Sequence, residues 1–189
     1  MPGVTRGVVV TGASTGIGAA IARHLAGRGF RVFGTVRRAE DEAALERAGV
    51  TAVRMDVTDT VSIARAREHV ERALAGVPLC GLVNNAGIPA AGPLELFPLD
   101  ALRRALEVNL IGAVAVTQAF LPRLKASRGR IVSFKTAIWS KVEAMDLGRY
   151  AGTPYQSVLD RFRRAALRGA EQGGSTAFRC GFPTVGSTG

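Results

Sequence analysis

The feature that most constrains the fold is a glycine-rich turn, residues 11–18, which directly follows a β-branched run near the start of the chain. The run, residues 7–11, has the continuous apolar pattern of a strand buried on both faces of a parallel sheet. After the turn, apolar residues recur at helical spacing. Because Gly12, Gly16 and Gly18 carry no side chains, backbone amides at the helix start can approach a diphosphate closely.

Strand-like and helix-like segments alternate after this turn. Strand patterns cover residues 30–36, 50–55, 79–84 and 130–134, and helical patterns cover residues 43–48, 61–74 and 98–124. This alternation is typical of right-handed βαβ units, so the sequence predicts an α/β fold, a doubly wound parallel sheet of the Rossmann type. The alternation ends at about residue 136, which predicts a fold that is incomplete on its C-terminal side.

The length of 189 residues fits one domain with a sizeable core. We expect this domain over residues 1–171, best supported over 4–132, and a disordered Gly/Thr/Pro-rich tail over 172–189. The chain starts without a signal-peptide pattern, and we expect no membrane span. Cys80 and Cys180 are far apart, which argues against a disulfide framework. These features predict a cytoplasmic protein with no membrane partner.

The net charge of +10 makes nucleic acid a partner to consider. The basic residues are nearly all arginines scattered along predicted helices, often beside glutamate, and the sequence has no aromatic-rich basic segment for stacking on bases. We therefore expect no nucleic-acid binding. His24 and His69 lie on helical segments without metal-ligand spacing, so we also expect no metal site.

The spacing of the three glycines resembles that of the short-chain dehydrogenase/reductase family, and three further motifs follow in order. Asp56 and Val57, after the third predicted strand, resemble the family's acidic contact to adenine. Residues 84–87, Asn-Asn-Ala-Gly, resemble its N-N-A-G turn, and Asn109 resembles the helix asparagine of its catalytic tetrad. Four motifs in register make the resemblance specific over residues 4–132. It implies an oxidoreductase that moves hydride between a nicotinamide and a carbonyl or alcohol carbon.

The resemblance, together with the strand-end positions, provides the candidate site residues. The predicted cofactor contacts are Thr11, Gly12, Ser14, Thr15, Gly16, Ile17, Gly18, Arg37, Asp56, Val57, Asn84, Ala86 and Gly87. Asn109 is the predicted catalytic residue, since the family asparagine helps to order a water linked to a lysine. Two alternatives stay open: Asp56 caps a turn or helix, and the Asn109 amide serves only a structural bond to backbone.

The end of the second predicted strand distinguishes between the two nicotinamide cofactors. An acidic residue there would accept hydrogen bonds from both ribose hydroxyls of NAD, whereas this chain has Arg37 and Arg38. Arginine clamps a 2′-phosphate well. We predict NADP rather than NAD, with Arg37 as the main contact; the alternative is that both arginines are solvated surface residues.

The chain departs from the family pattern after the fifth predicted strand. The family uses a serine and a Tyr-x-x-x-Lys pair, whose lysine lies one helical turn beyond the tyrosine and lowers its pKa. Here Pro154 stands four residues after Tyr150, and Leu159 stands four residues after Tyr155. The sequence therefore lacks the pair.

Two alignments of residues 133–171 stay open. In the first, Tyr150 or Tyr155 is a degenerate catalytic tyrosine. In the second, which we favour, residues 133–141 resemble the loop after the family's sixth strand, so an internal deletion joins the fifth strand to the substrate lid. The tail from Ala177 does not resemble the family. The second alignment predicts low stability, an exposed sheet edge and the loss of a helix that the family commonly uses to dimerise, while a homo-oligomer stays open.

Three hypotheses for function follow. The first is an NADP(H)-dependent oxidoreductase acting on a small apolar carbonyl or alcohol, because Trp139, Met145 and Phe162 would line an apolar lid. The second is a non-catalytic module that only binds the dinucleotide. The third is a truncated product with little function of its own.

Overall fold

The computed structural model describes residues 6–90, 92 and 94–133. The predictions for Tyr150, Tyr155, the lid and the tail lie outside the described residues, as does the end of the predicted domain at residue 171.

The described elements follow the predicted alternation. The strands are Gly7–Val10 (β1), Arg31–Val36 (β2), Thr51–Arg54 (β3), Leu79–Asn84 (β4) and Arg130–Ser133 (β5). The helices are Gly16–Gly27 (α1), Glu42–Glu46 (α2), Thr60–Leu74 (α3), Leu99–Leu106 (α4) and Gly112–Ala126 (α5). A π-helical turn, Glu107–Ile111, joins α4 to α5, where the sequence predicts one uninterrupted helix over residues 98–124.

The five strands form one parallel sheet in the order β3-β2-β1-β4-β5. From β1 the chain adds strands first on one side, to β2 and β3, and then on the other, to β4 and β5. The order therefore reverses between β1 and β4, and ligands of such sheets bind at the carboxyl ends of the strands at this reversal. The parallel, doubly wound sheet confirms the predicted Rossmann-type fold.

Two apolar clusters hold the helices on opposite faces of the sheet. Val9 belongs to the cluster under α3 and α5, which includes the fully buried Phe120. Val8 and Val10 belong to the cluster under α1 and α2, with Leu45. Successive strand side chains point to opposite faces, so the β-branched run in β1 contributes to both clusters.

The strand β5 is the last strand on its side of the described sheet. Its apolar residues Ile131 and Val132 are 41% and 52% exposed. The corresponding residues of β4, Leu82 and Val83, are buried. The described sheet thus has an apolar strand at one edge.

The helix Leu99–Ala126, counted through its π-helical turn, has 28 residues and is long and apolar enough to cross a membrane. Length and composition alone give the helix this property. In the structure, 22% of the most apolar stretch of the helix is buried. Val116, Phe120 and Leu124 of this helix pack in the core. A core helix passes the same test, so length and composition do not decide between the two.

Candidate functional site

A cleft of about 320 Å³ lies at the carboxyl ends of the strands, where the strand order reverses. Most of the predicted cofactor contacts line it: Gly12, Ser14, Thr15, Gly16, Ile17, Gly18, Arg37, Asp56, Val57, Ala86 and Gly87. Thr11 and Asn84 are the two predicted contacts that are not among its lining residues. The structure thus brings the glycine turn, the end of β2 and the turns after β3 and β4 to one place.

The glycines of the turn are required for two different reasons. Gly12 and Gly16 have φ values of +64° and +59°, which side chains disfavour. A Cβ at Gly12 would lie 2.8 Å from Ala86 Cα, and one at Gly18 would collide with the Gly12 carbonyl oxygen and the Asn85 side-chain amide. Apart from its own chain neighbours and the backbone of α1, no described atom lies within 4 Å of a Cβ built at Gly16. The turn packs tightly against the turn after β4 and leaves open space in front of α1.

Thr11 is buried behind the cleft and holds its two sides together. Its Oγ1 accepts hydrogen bonds from the backbone amides of Asn85 and Ala86, both at 2.9 Å. In return, Asn85 Nδ2 donates to the carbonyl oxygens of Thr11 and Gly12, both at 3.0 Å. Thr11 therefore positions the lining residues without being one of them.

Asn84 also lies outside the cleft wall. It is 3% exposed, and its Nδ2 donates to Thr117 Oγ1 at 2.9 Å, which links β4 to α5. Its Oδ1 is buried and has no hydrogen-bond partner within the described residues. The prediction that Asn84 contacts a cofactor therefore has no support from its position.

Asn109 lies in the π-helical turn, and its side chain bonds to the loop after β4. Its Oδ1 accepts from the Ile88 amide and its Nδ2 donates to the Ile88 carbonyl oxygen, both at 2.9 Å. These bonds to the Ile88 backbone match the structural alternative that the sequence allows for Asn109. The predicted catalytic role of Asn109 stays a prediction. Single π-helical turns inside α-helices are frequent at functional sites.

Asp56 lies at the carboxyl end of β3 and combines turn capping with a place in the cleft wall. Its Oδ1 accepts from the Thr58 amide at 2.9 Å and from the Thr58 hydroxyl at 2.7 Å. The bond from the Thr58 amide, aided by that hydroxyl and by the charge of Arg37, lowers the pKa of the carboxyl below its ordinary value against the opposing effect of partial burial. Asp56 is therefore an ionised acceptor at neutral pH.

The two arginines that follow β2 have different surroundings in the structure. Arg38 is exposed and lies 3.7 Å from Glu40, outside the cleft. Arg37 lines the cleft, and among the described residues it forms no ion pair. A guanidinium without an ion pair at this point favours an anionic group on the bound molecule.

Sequence reasoning missed six lining residues: Thr35, Val36, Met55, Asn85, Ile88 and Val108. Thr35 and Met55 lie at strand ends, so the rule that ligands bind there could have found them. Asn85 belongs to the Asn-Asn-Ala-Gly motif, but its contact with the glycine turn depends on the pairing of β1 with β4. Val108 belongs to the π-helical turn, for which the sequence carries no signal that we recognise.

A parallel sheet with a glycine-walled cleft at its strand-order reversal defines a dinucleotide-binding α/β protein. The model of the short chain dehydrogenase family matches residues 6–152. The chain therefore belongs to the short-chain dehydrogenase family.

Among its relatives, a 3-amino-tetrahydro-pyrrolizinone reductase from Xenorhabdus hominickii is 34% identical over 82% of this chain and 56% of its own length. An NADPH-dependent 3-dehydrocapnine reductase from Ornithobacterium rhinotracheale is 32% identical over 86% of this chain and 60% of its own length. The structure resembles an actinorhodin polyketide ketoreductase solved with NADPH, with a TM-score of 0.62, 28% identity and coverage of 90% of this chain and 64% of the other. The chain thus spans less than two thirds of each of these proteins.

Proposed function

We propose that this chain binds NADP(H) in the cleft and is an oxidoreductase that moves hydride between the nicotinamide and a carbonyl or alcohol carbon. The observation that carries the proposal is the Arg37 guanidinium, which forms no ion pair among the described residues and lies on the wall of a glycine-lined cleft. The NADPH-dependent relative and the ketoreductase solved with NADPH support the choice of cofactor.

The residues present fit such a cofactor. The open space in front of Gly16, at the amino end of α1, suits a diphosphate, because the free amides and the helix dipole favour negative charge there. Arg37 would hold the 2′-phosphate, and the ionised Asp56 would accept from the adenine amino group. When bound, the nicotinamide supplies or accepts the hydride.

The substrate in this proposal is a small apolar ketone, aldehyde or alcohol. Two relatives are reductases, which supports a carbonyl or alcohol as the reacting group. The apolar character rests on Trp139, Met145 and Phe162 in the sequence.

A second candidate function is dinucleotide binding without turnover. It is favoured by the sequence itself, in which neither Tyr150 nor Tyr155 has a lysine four residues later. General acid catalysis contributes about 10²- to 10⁴-fold, so a chain without the tuned tyrosine would turn over slowly at best.

Cofactor preference is tested by titrating NADPH and NADH separately into the full chain and following nucleotide fluorescence. We expect tighter binding of NADPH and a loss of about tenfold or more in NADPH affinity in Arg37→Glu, since the phosphate would lose its charged partner. Arg38→Glu is the matched control, because Arg38 lies outside the cleft. Equal or tighter binding of NADH would contradict the proposal.

Turnover is tested by following NADPH oxidation with a panel of apolar ketones and aldehydes. Oxidation that disappears in Tyr150→Phe or Tyr155→Phe supports the oxidoreductase. Tight NADPH binding without oxidation of the panel selects the binding module instead.

A further inference from the structure

Thr35, near the carboxyl end of β2, bonds to two successive amides of the glycine turn. Its Oγ1 accepts from the Gly12 amide at 3.2 Å, and its carbonyl oxygen accepts from the Ala13 amide at 2.8 Å. The regular pairing of β1 with β2 ends one residue earlier, where Val10 lies opposite Gly34. Thr35 therefore carries the contact between these strands into the turn.

The turn approaches β2 closely because Gly34 has no side chain. A Cβ at Gly34 would lie 3.0 Å from Ala13 Cβ and 2.9 Å from the Leu45 side chain. Thr35 is buried, and its hydrogen bond from the Gly12 amide is partly buried. Removal of the acceptor would leave that amide unpaired at a cost in free energy, so the hydrogen bond fixes the backbone of the turn.

The glycine turn is also held from the side of β4, where Thr11 Oγ1 accepts from the amides of Asn85 and Ala86. Thr35 supports the same turn from the opposite side. It stands two residues before Arg37, and both residues line the cleft. The glycine turn and the strand end that carries Arg37 are therefore directly connected.

The bonds to Thr35 determine which amides of the turn can meet a phosphate. The amides of Gly12 and Ala13 donate to Thr35 and so point toward β2. The amides of residues 16–18 form the first turn of α1, where backbone donors have no partner within the helix. Among the described residues, the side chain of the N-cap residue Thr15 forms no hydrogen bond to them. The donors at residues 16–18 are therefore the ones available to an anion.

We propose that Thr35 is a positioning residue of the glycine turn, an inference that rests on the proposed binding of NADP(H). By holding Gly12 and Ala13 against β2, Thr35 keeps the first-turn amides of α1 directed into the cleft, where they meet the diphosphate. Thr35 then affects every ligand that carries a diphosphate, whereas Arg37 affects only a ligand with a 2′-phosphate.

The test measures the affinities of NADPH and NADH for the full chain by nucleotide fluorescence. Thr35→Val keeps the shape of the side chain and the carbonyl bond to Ala13 but removes the acceptor for Gly12. We expect both nucleotides to bind about fivefold or more weakly in this variant, with the ratio of their affinities unchanged, because both carry the diphosphate. Arg37→Glu should instead change that ratio, since only NADPH carries the 2′-phosphate.

Two further variants separate positioning from a general loss of stability. Thr35→Ser keeps the hydroxyl and should restore most of the affinity for both nucleotides. Thr117→Val is the matched control, because it removes a hydroxyl that accepts from Asn84 at 2.9 Å and lies outside the cleft. This control should leave both affinities unchanged even if it lowers the melting temperature.

Amide hydrogen exchange, followed by NMR on the protein without nucleotide, provides a second readout. The Gly12 amide should exchange slowly in the unaltered chain and in Thr35→Ser, and faster in Thr35→Val, where it lacks an acceptor. The Val9 amide, in the central strand β1, controls for global unfolding and should stay protected in all three proteins.

A changed ratio of the two affinities in Thr35→Val, or equally weak binding by Thr35→Ser, would overturn the proposal. Fast exchange of the Gly12 amide in the unaltered chain would also overturn it, and this outcome requires no variant. If the unaltered chain binds neither nucleotide, the proposed function fails together with the role of Thr35. Binding that does not respond to Thr35→Val overturns the role of Thr35 alone.

Discussion

The geometry of the cleft depends on single residues, and the sequence predicts the role of some of them but not of others. Gly12, Gly16 and Arg37 could be predicted because their requirement is local: a turn with positive φ, or a charge at the end of a strand. Thr11 and Asn84 could not be separated from the lining residues, because their direction depends on how β1 and β4 pair. Local rules thus identify the neighbourhood of the site more readily than the side chains that face it.

Gly18→Ala tests the close approach of α1 to the two turns. The added methyl would meet the Gly12 carbonyl oxygen and the Asn85 amide, so α1 would have to shift. We expect about 1–3 kcal/mol of lost stability and weaker NADPH binding. Gly27→Ala is the control in the same helix, since among the described residues a Cβ there meets nothing within 4 Å beyond the backbone of α1. Unchanged thermal unfolding and NADPH titration in Gly18→Ala would show that the approach is not required.

Asp56→Asn tests the contribution of an ionised carboxylate. Because its pKa is lower in the folded protein, Asp56 stabilises the fold above its unfolded pKa of about 3.9, and this contribution disappears as pH falls through the folded pKa. The variant should therefore be less stable than the unaltered chain at pH 7, and the difference should vanish in acid. Urea unfolding between pH 7 and pH 2 measures the difference in stability, which should begin to shrink below about pH 3.9; a difference independent of pH would contradict the assignment.

The elements themselves were predicted where apolar patterns were continuous. β4 has the predicted bounds, because a mostly apolar run ends there at the polar residue Asn84. The helix over residues 98–124 was predicted without its π-helical turn, since apolar periodicity continues across residues 107–111. Asn109 in this turn bonds to Ile88 in the loop after β4, a tertiary contact that periodicity does not report.

Asn109→Leu tests whether those bonds hold the cleft. Both hydrogen bonds to Ile88 would be lost, and its backbone groups would be left unpaired, at a cost of about 1–3 kcal/mol. Because Ile88 lines the cleft, NADPH affinity should fall as well. Asn109→Asp keeps the acceptor and should retain part of the stability and part of the NADPH affinity. Thermal unfolding measures the stability and fluorescence titration measures the NADPH affinity. If both are unchanged in Asn109→Leu, the bonds do not hold the cleft.

At the scale of the whole molecule, the sheet formed by the described strands has two unlike edges. The β3 edge is bordered by charged side chains, including Arg54 and Arg65, whereas the β5 edge presents the apolar Ile131 and Val132. For the fifth strand, the favoured alignment of residues 133–171 predicts an exposed edge, whereas the apolar run of β5 taken alone predicts burial. Exposed apolar edges are templates for pairing between molecules.

The prediction at this scale is that β5 drives self-association. A lysine at Ile131 or Val132 would place charge on the edge and oppose pairing between copies, so Ile131→Lys and Val132→Lys should shift the chain toward monomer. NADPH affinity should be retained, because neither residue lines the cleft. Val61→Lys, at a residue of α3 that is 56% exposed, adds the same charge elsewhere and controls for net charge. Light scattering after size exclusion measures the mass; an equal shift in Val61→Lys would assign the effect to net charge rather than to the β5 edge.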